Sequence, residues 1–499
     1  MNKNRNVNFT FNSAISALCN HHIACVFLCL IFLASCTGIS GNKDLLNPGQ
    51  MSLAPLKSEA FSKSELSRQD KRIKRDFGGT YTNAKLQSYL TGIAQKIWVI
   101  SGVIPPKEKV IILDTPSINA FSLPGGRLYV TRGLLALAND EAEIAAILAH
   151  EISHVLAKHA TARIEREKQA KLVKQVLSEV VTNEEDTNIS LASVQASFAR
   201  FSQEQELEAD ALGIALAHEA GYDPSGATRF LKSLKAMIDL ETRPFSDGNK
   251  EKAFFGSHPP TIERITKAEN RISTLPKGGK IDRHTYLAHI NGIPYGYDAN
   301  QGLIKGQFFL HKKLGIQFQV PNGYLLKNTP DAVFASGPNE RIIRFDLDTI
   351  PKNWTLSEYM LGSWIKNGDI TEFKTYQTGN TVRATAQTSV KGWTFHMGII
   401  QEDKTLYRFV LAEKGQKNQN SHTIIQKIVR EFKILSNNEK RALTGQKLII
   451  KQRNGELNTD KLTHNMLVAN DANELFQVIN GLRSTRRLSE LDYIKYIAN

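Results

Sequence analysis

His150-Glu151-Ile152-Ser153-His154 is the stretch on which the reading of this 499-residue sequence turns. On an α-helix, positions four apart are offset by only about 40°, so His150 and His154 share one face, one turn apart. Two imidazoles placed this way can grip one Zn²⁺. Glu151, beside the first of them, can take a proton from a water on that metal. The flanking sequence predicts the helix. Asn139-Asp140 offers an N-cap, with Glu143 three residues after Asp140 as in a capping box. From Glu141 to Lys158 there is neither Pro nor Gly. Ile144, Ile147, Leu148, Ile152, Val155 and Leu156 are spaced as in a helix buried on most sides. Two histidines and a glutamate on such a helix need partners, because unpaired buried polar groups are costly; a metal supplies one.

Zinc needs a third protein ligand. In one zincin class this is a His six residues after the second His, preceded by a Gly; here those positions are Ala160 and Ala157. His159 is five residues past His154, which on a continuous helix turns it about 140° away, so it is expected at the surface. The better candidate is Glu206, in Phe201-Ser202-Gln203-Glu204-Gln205-Glu206-Leu207-Glu208-Ala209-Asp210. Glu206 and Asp210 again share a face. That suits a carboxylate ligand with a second carboxylate behind it, holding a ligand imidazole through its other N–H. Glu204 and Glu208 are expected to face elsewhere.

These motifs, with Asn119-Ala120-Phe121-Ser122-Leu123-Pro124-Gly125-Gly126 and Ser257-His258-Pro259-Pro260 followed by Glu263-Arg264, resemble the HtpX/BepA-like zinc metalloendopeptidases, a family that also contains the CAAX prenyl endoprotease. The resemblance runs from about Asp76 to Arg271. It implies a gluzincin fold, one Zn²⁺ on His150, His154 and Glu206, Glu151 as catalytic base, and Asp210 supporting the ligand set. One departure is Ser202-Gln203, where members carry Ser-Arg, so a charge contact near the second zinc helix is expected to be missing.

Pro124-Gly125-Gly126 reads as a turn, and Arg127 to Thr131 alternate like a strand. A strand edge beside the zinc helix would bind an extended peptide through main-chain hydrogen bonds, which makes Asn119 and Ala120 the candidate substrate-binding residues. His258, fixed by the two prolines after it, has three open roles: a donor to the tetrahedral oxyanion, a cap on the zinc in a resting state, or packing.

Lys3 and Arg5 form a positive n-region, Ile23–Leu33 an apolar segment too short to span a bilayer, and Leu33-Ala34-Ser35-Cys36 a sequence like a bacterial lipobox. Cleavage before Cys36 with lipid on its sulfur is expected. Thr37 after it favours the outer membrane by resemblance to enteric lipoproteins. Cys19, Cys25, Cys29 and Cys36 are the four cysteines, so the mature chain would have neither a disulfide nor a cysteine–zinc site. No other stretch has the apolar length of a transmembrane helix.

The net charge of +14 falls to about +12 without Lys3 and Arg5. The basic stretch Lys158–Lys174 reads as a solvated helix face, or as a contact with anionic lipid or wall polymer. No nucleic-acid partner is expected for an exported chain.

The expected fold class is α+β: a mainly helical gluzincin catalytic domain with a small sheet (76–285), an antiparallel α+β accessory domain with helices on one face (290–435), and a small βααβ module similar to LysM (445–499). A lipoprotein signal (1–35) and a tether (36–75) precede them. Val176–Ala199 is expected as a lid. In the last module Asn454-Gly455-Glu456 replaces the usual Gly-Asp-Thr, which puts peptidoglycan binding in doubt. The expected function is hydrolysis of misfolded or unassembled envelope proteins on the periplasmic side of the envelope. The alternative is a chaperone-like or wall-binding protein whose zinc site is gated or silent.

Overall fold

The computed structural model describes residues 62–162, 202–242 and 258–498, apart from short stretches at 330, 340, 365–369, 391, 415–418, 454–461, 464–465, 467–471, 483–487 and 490. The signal, Cys36, the expected lid and most of the basic stretch lie outside the described residues. Helix α1 (Lys63–Asp76) starts at Ser62, whose side chain caps Glu65 while Glu65 returns to the Ser62 backbone. The segment expected as a tether therefore ends in a capped helix. That helix is tied to the catalytic part of the chain: Asp70 accepts a hydrogen bond from the Tyr129 hydroxyl at 2.7 Å.

Helix α2 (Ala84–Ile100) buries Leu86, Leu90, Ile93, Ala94, Ile97 and Trp98 along one face. Strands β1 (Ile111–Leu113), β2 (Ala120–Ser122) and β3 (Leu128–Thr131) form a sheet in the order β1-β3-β2, with β1 parallel and β2 antiparallel to β3. The turn between β2 and β3 uses Gly125 and Gly126 at φ 93° and 85°, a region that suits glycine. β3 is buried on both faces, Leu128 and Val130 in the main core and Tyr129 in a cluster with Ile73 of α1.

Helix α3 (Arg132–Leu137) leads to α4 (Glu141–Leu156), which carries the HExxH run. Asp140 caps α4 by accepting from the Glu143 amide at 2.9 Å, and the Glu143 carboxylate reaches back to the Asn139 amide at 2.8 Å. Helices α5 (Gln203–Glu219) and α6 (Ser225–Thr242) pack on α4 through glycines. A β-carbon on Gly226 would meet the Ala142 backbone at 2.6 Å, so only glycine admits this approach. Helices α7 (Ile262–Ser273) and α8 (Arg283–Ile290) complete this part.

Beyond it come β4 (Pro294–Tyr295), then β5 (Leu303–Lys305), β6 (Phe308–His311), β7 (Ile316–Gln319), β8 (Leu325–Asn328), β9 (Val333–Ser336) and β10 (Ile342–Thr349). After helix α9 (Leu356–Tyr359), which continues as a π-helical turn over Met360–Trp364, come β11 (Thr371–Thr378), β12 (Thr381–Val390), β13 (Trp393–Glu402), β14 (Thr405–Lys414), α10 (Gln419–Glu431), β15 (Lys433–Ile434) and α11 (Asn437–Ala442). An antiparallel seven-stranded sheet runs β11-β12-β13-β14-β10-β9-β8. Helices cover both of its faces rather than one. Ile425, Ile428 and Val429 of α10 pack with Ile400, Tyr407 and Phe409, while Leu356 and Tyr359 of α9 pack with Met397, Ile399 and Leu406. The period-2 alternation along β13 and β14 serves two apolar layers.

The last elements are β16 (Gln446–Gln452), α12 (Ala472–Ile479) and β17 (Tyr493–Ala498). β16 pairs with β17 and also with β4, and Leu448, Phe476, Ile479, Ile494 and Ile497 belong to the same hydrophobic cluster as the zinc helix. Lys495 is fully buried, and its Nζ donates to the carbonyls of Ala136, Leu137 and Ala138 at 2.8–3.1 Å. These are the last carbonyls of α3 and its cap, which the amine's N–H groups satisfy.

Candidate active site

Four side chains from three segments converge. His150 and His154 come from α4, Glu206 from α5, and His258 from the chain leading into α7. One ligand atom of each lies within 4.8 Å of the others. His150 Nε2 and His154 Nε2 are 3.0 Å apart. Both face Glu206, whose oxygens lie 3.5 Å from each. His258 Nδ1 is 2.8 Å from Glu206 Oε1 and 3.3 Å from His150 Nε2, and its Nε2 is 3.4 Å from Glu151 Oε1. His258 thus stands between the expected base and the expected ligands. Glu151, His154 and Glu206 are almost wholly buried.

Asp210 Oδ1 lies 3.0 Å from His150 Nδ1, as expected for a carboxylate behind a ligand imidazole. Arg264, buried on α7, has no role legible in its motif. It donates to both oxygens of Asp210 at 2.7 Å and to the Pro259 carbonyl at 3.1 Å, and lies 2.7 Å from Glu206 Oε2. One guanidinium therefore fixes Asp210, Glu206 and the turn that aims His258. Ser122 of β2 is likewise missed by sequence reasoning. Its hydroxyl reaches the Glu151 carbonyl at 3.1 Å and its carboxylate at 3.3 Å, tying the sheet edge to the base.

Burial works against charge throughout the cluster, and the neighbours decide the balance. Contacts with Asp210 and Glu206 outweigh burial at His150 and push it up to about 10. At His154 burial wins, with His150 and His258 adding to it, and holds it down at about 2. Arg264 outweighs burial at Asp210 and keeps it at about 2. The histidines outweigh burial at Glu206 and hold it well below the carboxylate range.

The donor set fits zinc. Imidazole nitrogens and a carboxylate oxygen are its ordinary ligands. Glu151, Glu206 and Asp210 outnumber the Arg264 guanidinium, and a divalent cation would take the place of the proton that His150 otherwise holds. His150, His154 and Glu206 are the three residues that would hold it.

The expectation for His159 is corrected, while Glu208 faces away from the ligand group as expected. His159 is buried, not at the surface. Its Nδ1 lies 2.9 Å from His154 Nδ1 and its Nε2 3.2 Å from Glu208 Oε2. The helical arithmetic fails because α4 ends at Leu156 and Lys158 adopts φ 57°, a left-handed turn that re-aims the next side chain. At Ser202-Gln203, Ser202 caps α5 in a box with Gln205, and Gln203 hydrogen-bonds Glu263.

Beside the cluster, Ile118, Leu134, Ile147, Phe230, Leu231 and Leu234 line an apolar cleft that also touches Asn119, Ala120, His150 and Glu151. β2 is an edge strand of its sheet among the described residues.

This fold and this site define a metallopeptidase domain with two histidines on one helix and a glutamate on the next. Residues 82–272 match Peptidase family M48, and the chain carries a domain of that family. Mitochondrial metalloendopeptidase OMA1 of Schizosaccharomyces pombe is 29% identical over 184 residues, 36% of this chain and 51% of that protein. The beta-barrel assembly-enhancing protease of Yersinia pestis is 26% identical over 227 residues, covering 43% of this chain and 45% of that protein. The protein of the same name in Escherichia coli (strain K12) is 23% identical over 199 residues, 38% and 39% of the two chains. The chain thus spans about half or less of the length of these relatives. The solution structure of cyanobacterial PsbP from Synechocystis sp. PCC 6803 aligns with 26% of this chain and 94% of its own at 13% identity and a TM-score of 0.21, a likeness too slight to argue from.

Proposed function

We propose that the chain is a zinc metalloendopeptidase of the bacterial cell envelope, lipid-anchored through Cys36, that cleaves misfolded or unassembled envelope proteins. The observation that carries the proposal is the buried group His150, His154 and Glu206 with Glu151 beside it. When bound, zinc supplies Lewis acidity at the scissile carbonyl. Glu151 takes the proton of the attacking water and hands it to the leaving amine. Asp210 and Arg264 keep His150 and Glu206 aimed. An extended substrate adds to the edge of β2 at Asn119 and Ala120, and the apolar cleft takes one of its side chains. Exposed apolar side chains on extended backbone are what an unfolded protein offers.

The envelope assignment is supported by the lipobox-like Leu33–Cys36 and by the likeness to proteins named for β-barrel assembly. Among the described residues no helix is long and apolar enough to cross a membrane.

The test is zinc content and casein hydrolysis by the purified chain. Wild type should hold one Zn²⁺ and cleave. Glu151→Gln should keep the metal and lose activity by about 10³-fold, because only the base is gone. His150→Ala and Glu206→Ala should lose metal. Activity surviving in Glu151→Gln would falsify the mechanism, and full zinc affinity in Glu206→Ala would make His258 the third ligand.

A further inference from the structure

We infer that His159, braced by Glu208, is a positioning residue for the metal: it sets the tautomer and ring direction of His154. The inference rests on the zinc reading above. His154 points Nε2 at His150 and Glu206, so a metal there needs that nitrogen unprotonated. The ring's proton must then sit on Nδ1. The atom 2.9 Å from His154 Nδ1 is His159 Nδ1, which must therefore accept. His159 is then protonated on Nε2, and that nitrogen lies 3.2 Å from Glu208 Oε2, an acceptor. Every proton in the chain from metal to carboxylate is fixed by the one before it.

The geometry is built for this. His159 is 4% exposed although it lies past the end of α4, and Lys158 takes a left-handed conformation to turn it inward. Such a conformation is unfavourable for a non-glycine residue. The two ligand histidines are held differently. His150 rests on the Asp210 carboxylate locked by Arg264, whereas His154 rests on an imidazole that relays to a glutamate whose side chain is 59% exposed. Partners that orient ligand imidazoles in this way are worth roughly 10–100-fold in metal affinity.

The experiment measures zinc affinity by chelator competition on the full chain, with histidine ¹⁵N NMR of the zinc-loaded protein. His159→Ala and His159→Phe should each weaken zinc binding about 10–100-fold. His159→Asn, which can offer an acceptor oxygen near the lost Nδ1, should stay within about threefold of wild type. NMR should find His154 protonated on Nδ1 and His159 on Nε2. Wild-type affinity in His159→Phe would show that bulk alone matters and overturn the inference. So would an Asn variant as weak as Phe, or His159 protonated on Nδ1. Should His159→Ala not fold, the Phe and Asn pair and the wild-type NMR still decide. Failure of the underlying reading looks different: wild type binds no zinc, or His150→Ala binds it as well as wild type.

Discussion

Gly213 lies directly against the backbone of His150. A β-carbon at that glycine would sit 2.9 Å from the His150 amide nitrogen and 3.0 Å from its Cα. Glu206 and Asp210 ride on the same helix as Gly213, so this contact sets how near the two carboxylates come to the two histidines. Gly213→Ala must move α5 by several tenths of an ångström. Overpacking of this kind costs about 1–3 kcal/mol, and metal affinity should fall with it. Thermal unfolding and zinc titration check both; an alanine variant with unchanged melting and unchanged zinc binding would mean that the helices have slack here.

Arg264 offers a second test. Arg264→Gln leaves Glu206 and Asp210 buried without their cation, which should destabilise the metal-free protein by about 3–5 kcal/mol. Arg264→Lys should rescue little, because a point charge cannot reproduce the fork on Asp210. Denaturant titration with and without zinc reads this directly. A lysine variant as stable as wild type would mean that charge alone is required.

His258 should restrain the enzyme. Its imidazole stands between Glu151 and the ligand group, where an incoming substrate carbonyl and the attacking water need room. His258→Ala is expected to raise basal casein hydrolysis with metal content unchanged. A fall in kcat would instead mark an oxyanion donor, and unchanged kinetics would leave packing as its whole role.

Cys36→Ser should abolish lipid labelling and release the protein from the membrane fraction. The mutant remaining integral would make Ile23–Leu33 an uncleaved anchor.

Much of the site was legible because helical spacing is local information. His150, His154, Glu206 and Asp210 announce themselves as i, i+4 pairs, and the strand-like runs Thr381–Thr388, Trp393–Ile400 and Leu406–Leu411 lie within β12, β13 and β14. What stayed hidden depends on distant partners or on single backbone angles. Arg264 meets the Asp210 carboxylate 54 positions earlier in the chain. His159 was misjudged because one left-handed residue, Lys158, interrupts the helical count. The second helical layer on the large sheet could not be read from Leu356–Trp364, whose apolar residues state that the helix is buried but not against which face. The strands of two to four residues, such as β4 and β15, are too short to show a period.

Lys495 carries a consequence for the order of events during folding. Its amine satisfies carbonyls 357–359 positions earlier in the chain, just ahead of the helix that bears His150 and His154. Contacts of such long sequence separation form late, because a large loop must close first. The scaffold of the metal-binding helix is therefore completed only when the far end of the chain has arrived. Under the proposed function, a peptidase assembled this way stays unfinished during its own synthesis, when it would otherwise meet unfolded chains as substrates.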